Sequence, residues 1–241
     1  MTHRMPTLAL ALAASLLAGP QSAGVTAARG DSRMVWSVAS TAPVGALFHG
    51  SMEDGDHSCT ASVVSSEGRD MLVTAAHCLD GISIRDLTFV PGYHDGVAPY
   101  GEWDIAWTSA APEWNYGGDE DADVGFAAVE PKDGVRIQDV VGAYALGIDQ
   151  APDSTVTVTG YPSDFEVPVT CTGTARAYTD QQWIIGCPGF SGGTSGSPWV
   201  TADGKVVGVI GGHEQGGDTD DISYSVRFDA DTEELFQKAD D

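Results

Sequence analysis

From Val44 onward the sequence is a succession of short runs rich in Val, Ile, Thr and aromatic residues, cut by Gly, Asp, Ser and Pro. Almost no 3.6-residue periodicity occurs before the last dozen residues, so crossover helices are not available and the strands must pair antiparallel. Six runs of strand length fall in the first half, at 44–49, 59–66, 70–75, 83–90, 101–109 and 123–129. Six more follow at 154–160, 169–178, 181–186, 197–201, 205–211 and 222–228, after a connector over 131–153. Closing each set on itself removes the exposed edges of a β protein. The expectation is an all-β chain of two six-stranded antiparallel β-barrels, over 36–130 and 154–241, with the cleft between them as the natural site. The tail over 229–238 reads as one short terminal helix, with Asp231 three residues before Glu234 as its N-cap and Leu235 and Phe236 on its apolar face.

The N-terminus has a different character. His3 and Arg4 precede an apolar run from Leu8 to Ala18, closed by Gly19 and Pro20 and followed by small residues. That order predicts a secretory signal over 1–28, too short to span a bilayer, and the mature chain is expected to be secreted, free of the membrane and monomeric. Export gives the four cysteines a meaning, since oxidised pairs persist outside the cytosol. Of three possible pairings, Cys59 with Cys78 and Cys171 with Cys187 keep each pair within its own half. The chain has no CxxC pair and no HExxH helix, and its acidic groups at 119–121 and 218–221 lack EF-hand spacing, so no metal or cofactor is expected. A formal net charge of −24 repels polyanions and argues against nucleic acid as a partner.

Two motifs carry chemistry. Thr74-Ala75-Ala76-His77-Cys78 puts a histidine at a strand end, beside a cysteine tied back to the preceding strand. Gly192-Gly193-Thr194-Ser195-Gly196-Ser197-Pro198 exposes a serine in a glycine-rich turn, where backbone N–H groups can converge on an oxygen that becomes negative. Together TAAHC and GTSGSP resemble the chymotrypsin-like serine proteases, and the GxSGSP form is similar to the bacterial secreted branch that includes the glutamyl endopeptidases. The resemblance spans nearly the whole mature chain and implies a secreted serine endopeptidase acting on polypeptides, with base and acid on the first barrel and nucleophile on the second. A catalytically silent, protein-binding relative is the other function such a chain can have; it would not need His, Asp and Ser at all three positions.

Under this resemblance His77 is the general base and Ser195 the nucleophile. The acid is Asp123, 46 residues after His77, rather than Asp104, which would orphan the run from Val124 to Val129. Asp119 and Asp121 read as solvated loop acids, and His57 as an exposed loop histidine. The N–H groups of Gly193 and Ser195 form the implied oxyanion hole. The specificity pocket is implied at Gly189, Ile210, Gly211, Gly212 and His213, without an acid at its base to select Lys or Arg. Thr194 stands where animal digestive members place an aspartate, so activation by an ion pair to a new N-terminus is not expected. Gly189-Phe190-Ser191-Gly192-Gly193 also satisfies GxSxG, but that elbow needs a parallel sheet this chain cannot build.

Overall fold

The computed structural model describes residues 1, 27, 29–35, 42–53 and 56–240. The signal reading lies outside the described residues, apart from Met1 and Ala27. The strands in chain order are β1 (Asp31–Met34), β2 (Val44–His49), β3 (His57–Val63), β4 (Met71–Thr74), β5 (Leu87–Pro91) and β6 (Trp103–Ala110). Helix α1 (Pro112–Gly117), β7 (Gly125–Val129), α2 (Ile137–Val141) and β8 (Ala145–Leu146) follow. The second half comprises β9 (Ser154–Gly160), β10 (Val169–Ala177), β11 (Gln182–Gly186), β12 (Pro198–Thr201), β13 (Lys205–Val209), β14 (Ile222–Val226) and the terminal α3 (Ala230–Asp240).

The first six long strands close into a barrel in the order β2-β3-β4-β7-β6-β5, every pair antiparallel. Leu47, Leu72, Phe89 and Trp103 fill its centre. The second half is an eight-stranded sheet in the order β14-β11-β10-β9-β12-β13-β8, with β1 also on β10. It curls around Val158, Trp183, Ile185 and Trp199. Its strand β13, next to the edge strand β8, meets the opposite edge β14 through single bonds rather than a ladder: Val209 N–H donates to Ser225 Oγ at 2.9 Å and Gly211 N–H to the Tyr224 carbonyl at 3.1 Å. The sequence-derived closure of a second barrel is therefore realised as a curled, half-barrel sheet.

A separate apolar cluster joins the halves. Val73 and Phe126 of the barrel pack with Val206, Val209, Val226 and Phe228 of the sheet, and α3 adds Leu235 and Phe236. Each fully buried side chain of this cluster contributes about 1.5–3 kcal/mol, which holds the two halves against each other.

Each of the twelve runs read from sequence overlaps a strand, most of them shorter by one to three residues. Four elements lie outside them. β1 occupies the side of β10 over Val169–Thr172, ahead of the stretch where β11 pairs with that strand. The connector holds α2 and the two-residue β8. Helix α1 carries Pro112 in its first turn and Gly118, in the left-handed conformation, just past its end. The terminal helix is capped by Asp229 and not by Asp231: the Asp229 carboxylate accepts the N–H groups of Asp231 and Thr232.

Candidate active site

Strand β4 ends at Thr74, Ala75 stays extended, and the chain tightens into a 3-10 turn over Ala76–Cys78 that carries His77. The Cys59–Cys78 disulfide ties that turn to β3, with Cα atoms 6.1 Å apart. Asp123 follows a second 3-10 turn, Glu120–Ala122, and precedes β7. Its side chain is wholly buried, and three donors offset the cost of burying the charge. His77 donates its backbone N–H to Oδ1 at 3.0 Å, its ring Nδ1 lies 2.8 Å from Oδ2, and Gly212 N–H donates to Oδ2 at 2.8 Å. The carboxylate thereby fixes the position and the tautomer of the imidazole, leaving Nε2 as the free ring nitrogen. Trp114 of α1 packs over the His77 ring, centroids 6.4 Å apart. Asp104 lies elsewhere, exposed on β6 opposite Thr88.

The loop before β12 presents Ser195. Its four consecutive peptide units from Gly192 to Gly196 are held individually. Ser163 N–H donates to the Gly192 carbonyl at 2.7 Å, Thr60 Oγ1 to that of Gly193 at 3.0 Å, Ser197 N–H to that of Thr194 at 3.0 Å, and Thr60 N–H to that of Ser195 at 2.7 Å. Thr194 N–H donates to Ser191 and Gly196 N–H to Ile210. The two remaining N–H groups, of Gly193 and Ser195, meet no acceptor among the described residues. Because a trans peptide points its N–H opposite its carbonyl, the bonds to Gly192 and Thr194 aim both donors the other way. Gly193 needs φ +93°, and a Cβ there would sit 2.5–2.6 Å from Ser163 and the Tyr161 carbonyl. At Gly196, φ +81°, a Cβ would overlap the Thr74 hydroxyl and the Thr60 carbonyl. The Ser195 hydroxyl hydrogen-bonds to no described residue, His77 included.

The predicted pocket residues fall on two segments, Gly189 on one and the run 210–213, the predicted pocket wall, on the other. Gly189, φ +85°, follows the Cys171–Cys187 disulfide, and open space surrounds it. Gly211 approaches Asp123 so closely that a Cβ would lie 2.9 Å from Oδ2. Beyond Gly212 the wall turns away. His213 N–H donates to Gln182 Oε1 at 3.0 Å, Glu214 N–H to Glu120 Oε1 at 2.9 Å, and Gln215 N–H back to the Gly212 carbonyl at 2.8 Å. Glu214 and Gln215 both take left-handed φ, 50° and 54°. The His213 ring packs with Tyr178 and Tyr224, centroids 5.3 and 4.8 Å away, and its Nδ1 is 3.7 Å from Glu120. Burial first, then Tyr178 and Asp218, raises the Tyr224 phenol and keeps it neutral.

Asp119 and Asp121 are exposed, as read from sequence, and each also accepts a donor: Asp119 the Asp121 N–H at the start of its turn, and Asp121 the Gln182 amide at 2.5 Å. One reading of a loop residue is corrected by this geometry. His57 is buried rather than exposed, enclosed by the rings of Phe48, Tyr93 and Tyr161, with no partner for either ring nitrogen. Burial lowers its pKa against the opposing pull of Glu166, the Phe165 carbonyl and Asp56. Thr60, Gln182 and Glu120 were not singled out from sequence, because their roles rest on contacts 94 to 133 residues away or, for Gln182, 31. One Cys/His grouping among the described residues, Cys59, His77 and Cys78, has the compactness of a metal site, but its sulfurs are joined in the disulfide and offer no thiolate.

A closed barrel packed on a curled sheet, with a histidine held by a buried aspartate, is the architecture of a chymotrypsin-like serine endopeptidase, a protease that acts on polypeptides. Residues 59–209 match the trypsin-like peptidase domain, and the chain belongs to that family. Among solved structures it is similar to the protease Anisep from Arthrobacter nicotinovorans, with a TM-score of 0.73 and 26% identity over 83% of this chain and 96% of that one. The thermostable serine protease AL20 from an extremophilic microorganism gives a TM-score of 0.72 at 24% identity, over 84% and 98% of the two chains. A Glu endopeptidase in complex with MPD shares the fold at 17% identity, with a TM-score of 0.70 over 88% and 97%. No curated protein sequence matches the chain.

Proposed function

We propose that this protease is a Ser-His-Asp hydrolase in which Ser195 is the nucleophile, His77 the base and Asp123 the acid. The observation that carries the reading is the grip of the buried Asp123 carboxylate on both the backbone and the ring of His77. Ser195 Oγ attacks the peptide carbonyl carbon while its proton passes to His77 Nε2, and the carbonyl oxygen becomes an anion received by the N–H groups of Gly193 and Ser195. As the C–N bond breaks, His77 gives that proton to the leaving amine, and an acyl-enzyme ester remains on Ser195. Water then attacks the ester with the same proton exchange, releasing the acid and restoring the hydroxyl. Asp123 stays ionised throughout and stabilises the imidazolium. The gap between His77 and Ser195 without substrate is compatible with this, since catalytic hydrogen bonds often tighten only in the Michaelis complex.

Gly189, Ile210, Gly211, Gly212 and His213 are the proposed pocket for the side chain before the cleaved bond. The basic, apolar, small-residue leader and two disulfides support secretion, after loss of residues 1–28 as a signal segment. The first half, 36–130, then supplies base and acid, and the second, 154–241, the nucleophile, with 131–153 between them.

The test is covalent. An organophosphonate should label the intact protein once, on Ser195, and abolish peptide cleavage, and Ser195→Ala should take no label and have no turnover. Undiminished turnover in Ser195→Ala would overturn the assignment.

A further inference from the structure

Both N–H groups assigned to the oxyanion lie in peptide units whose neighbours must not rotate, and one residue outside the motif holds two of those neighbours, one by its side chain and one by its backbone. Thr60, on β3 of the first barrel, is fully buried. Its hydroxyl has one proton and two lone pairs. The proton goes to the Gly193 carbonyl at 3.0 Å, and the oxygen accepts Tyr161 N–H at 2.9 Å. The backbone N–H of Thr60 goes to the Ser195 carbonyl at 2.7 Å, and its own carbonyl accepts the Thr74 hydroxyl at 2.7 Å, three residues before His77. Thr60 therefore holds the carbonyls immediately following both oxyanion donors, and it holds them from the half of the molecule that carries the base.

We propose that Thr60 is a positioning residue for the oxyanion hole, its hydroxyl clamping the Gly193 peptide and, through Tyr161, the segment that clamps Gly192. The path to Gly192 is short. Tyr161 and Ser163 are two residues apart, Ser163 N–H holds the Gly192 carbonyl, and the Ser163 hydroxyl donates to the His57 carbonyl at 3.2 Å. Without the Thr60 hydroxyl, the Gly193 carbonyl and Tyr161 N–H are both left unmet in a buried place, and rotation of the Gly193 peptide becomes the way to relieve them. Such a rotation moves the oxyanion donors away from the charge that develops in the transition state, not from the substrate. The loss thus falls on kcat and leaves KM nearly unchanged.

The proposal rests on Ser195 acting as the nucleophile, and its test separates the two claims. Thr60→Val keeps the shape and removes the hydroxyl, and Thr60→Ser restores it. With a peptide amide substrate, Thr60→Val should lower kcat by about 10- to 100-fold, short of the roughly 10²–10³ that deleting one donor costs. KM should stay within about twofold, and Thr60→Ser should recover the parent kcat within a few-fold. Binding of a peptide boronic acid, which forms a tetrahedral adduct, should weaken by the same factor as kcat, while binding of the product peptide does not change. A parent-like kcat and boronate affinity in folded Thr60→Val overturns the positioning role and leaves the nucleophile untouched. Absence of Ser195 labelling in the parent protein overturns both. If Thr60→Val does not fold, Thr60→Gly removes the hydroxyl without adding volume and must show the same kcat loss with the same KM; parent-like turnover there refutes the role equally.

Discussion

Asp123→Asn tests the catalytic and the structural role of one buried carboxylate together. The carboxylate accepts three donors, His77 N–H on Oδ1 and both His77 Nδ1 and Gly212 N–H on Oδ2. An amide of the same shape has one acceptor oxygen and one NH2 group. With its oxygen at the Oδ2 position, the NH2 faces the backbone N–H of His77. Turned over, the NH2 faces Gly212 N–H and can be satisfied at the ring only if Nδ1 becomes an acceptor, which moves the proton to Nε2 and removes the base. Each orientation leaves at least one buried backbone N–H unmet, so folding should weaken by about 1–3 kcal/mol, a fall in Tm of several degrees for a domain of this size. Both orientations remove the negative charge beside the imidazolium, and one blocks Nε2. The expected loss in kcat is about 10³–10⁴, or roughly 4–5.5 kcal/mol of the barrier. The assay is kcat and KM on a peptide amide, beside thermal melting and the rate of phosphonate labelling at Ser195. Activity within tenfold of the parent refutes the assignment of Asp123, as does a kcat loss that the melting curve fully accounts for.

Two further outcomes follow from groups the reaction does not touch directly. His57 is buried neutral, with its pKa lowered by burial, so between that value and the ordinary histidine value the unfolded chain binds more protons than the folded one. Stability from this group is complete above the ordinary value and is lost as pH falls toward the folded value; melting from pH 7 down to 5 should therefore fall less steeply in His57→Phe than in the parent, and identical slopes would remove His57 from the account. The wall beyond Gly211 has its N–H groups committed to Asp123, Gln182 and Glu120. A peptide adding as a strand gains a net factor of about 2 to 12 per backbone bond, so lengthening substrates past the second residue before the cleaved bond should change kcat/KM by less than about threefold, and a steep rise with each added residue contradicts the closed wall.

The strands were legible because their signal is local. Val156 and Val158 alternate with threonines along β9, and both valines are buried where that alternation requires. His77 and Ser195 were legible because the chemistry needs fixed neighbours, a cysteine on one side and glycines on the other. β1 was not, since Asp-Ser-Arg-Met has no apolar alternation and becomes a strand only by pairing with β10. The same reason hid the burial of His57. Its sequence neighbours Asp56 and Ser58 read as a turn, while the rings that enclose it come from three other segments.

The acids around Asp123 show how a charge run can mislead. Asp119, Glu120, Asp121 and Asp123 crowd into five residues, and repulsion alone would spread them into solvent. Each instead has its own donor: Asp119 the N–H of its turn, Glu120 that of Glu214, Asp121 the Gln182 amide, and Asp123 the His77 and Gly212 groups. Except for Asp119, those acceptors bond to the second half of the molecule, where the wall of the proposed pocket is short of acceptors for the N–H groups it turns toward the first. One acidic turn thus connects the residue that orients the base to the surface that would receive substrate. A substitution at Glu120 or Gln182 should for that reason be felt as a change in which peptides are cut, whereas one at Asp123 should lower the rate for all of them.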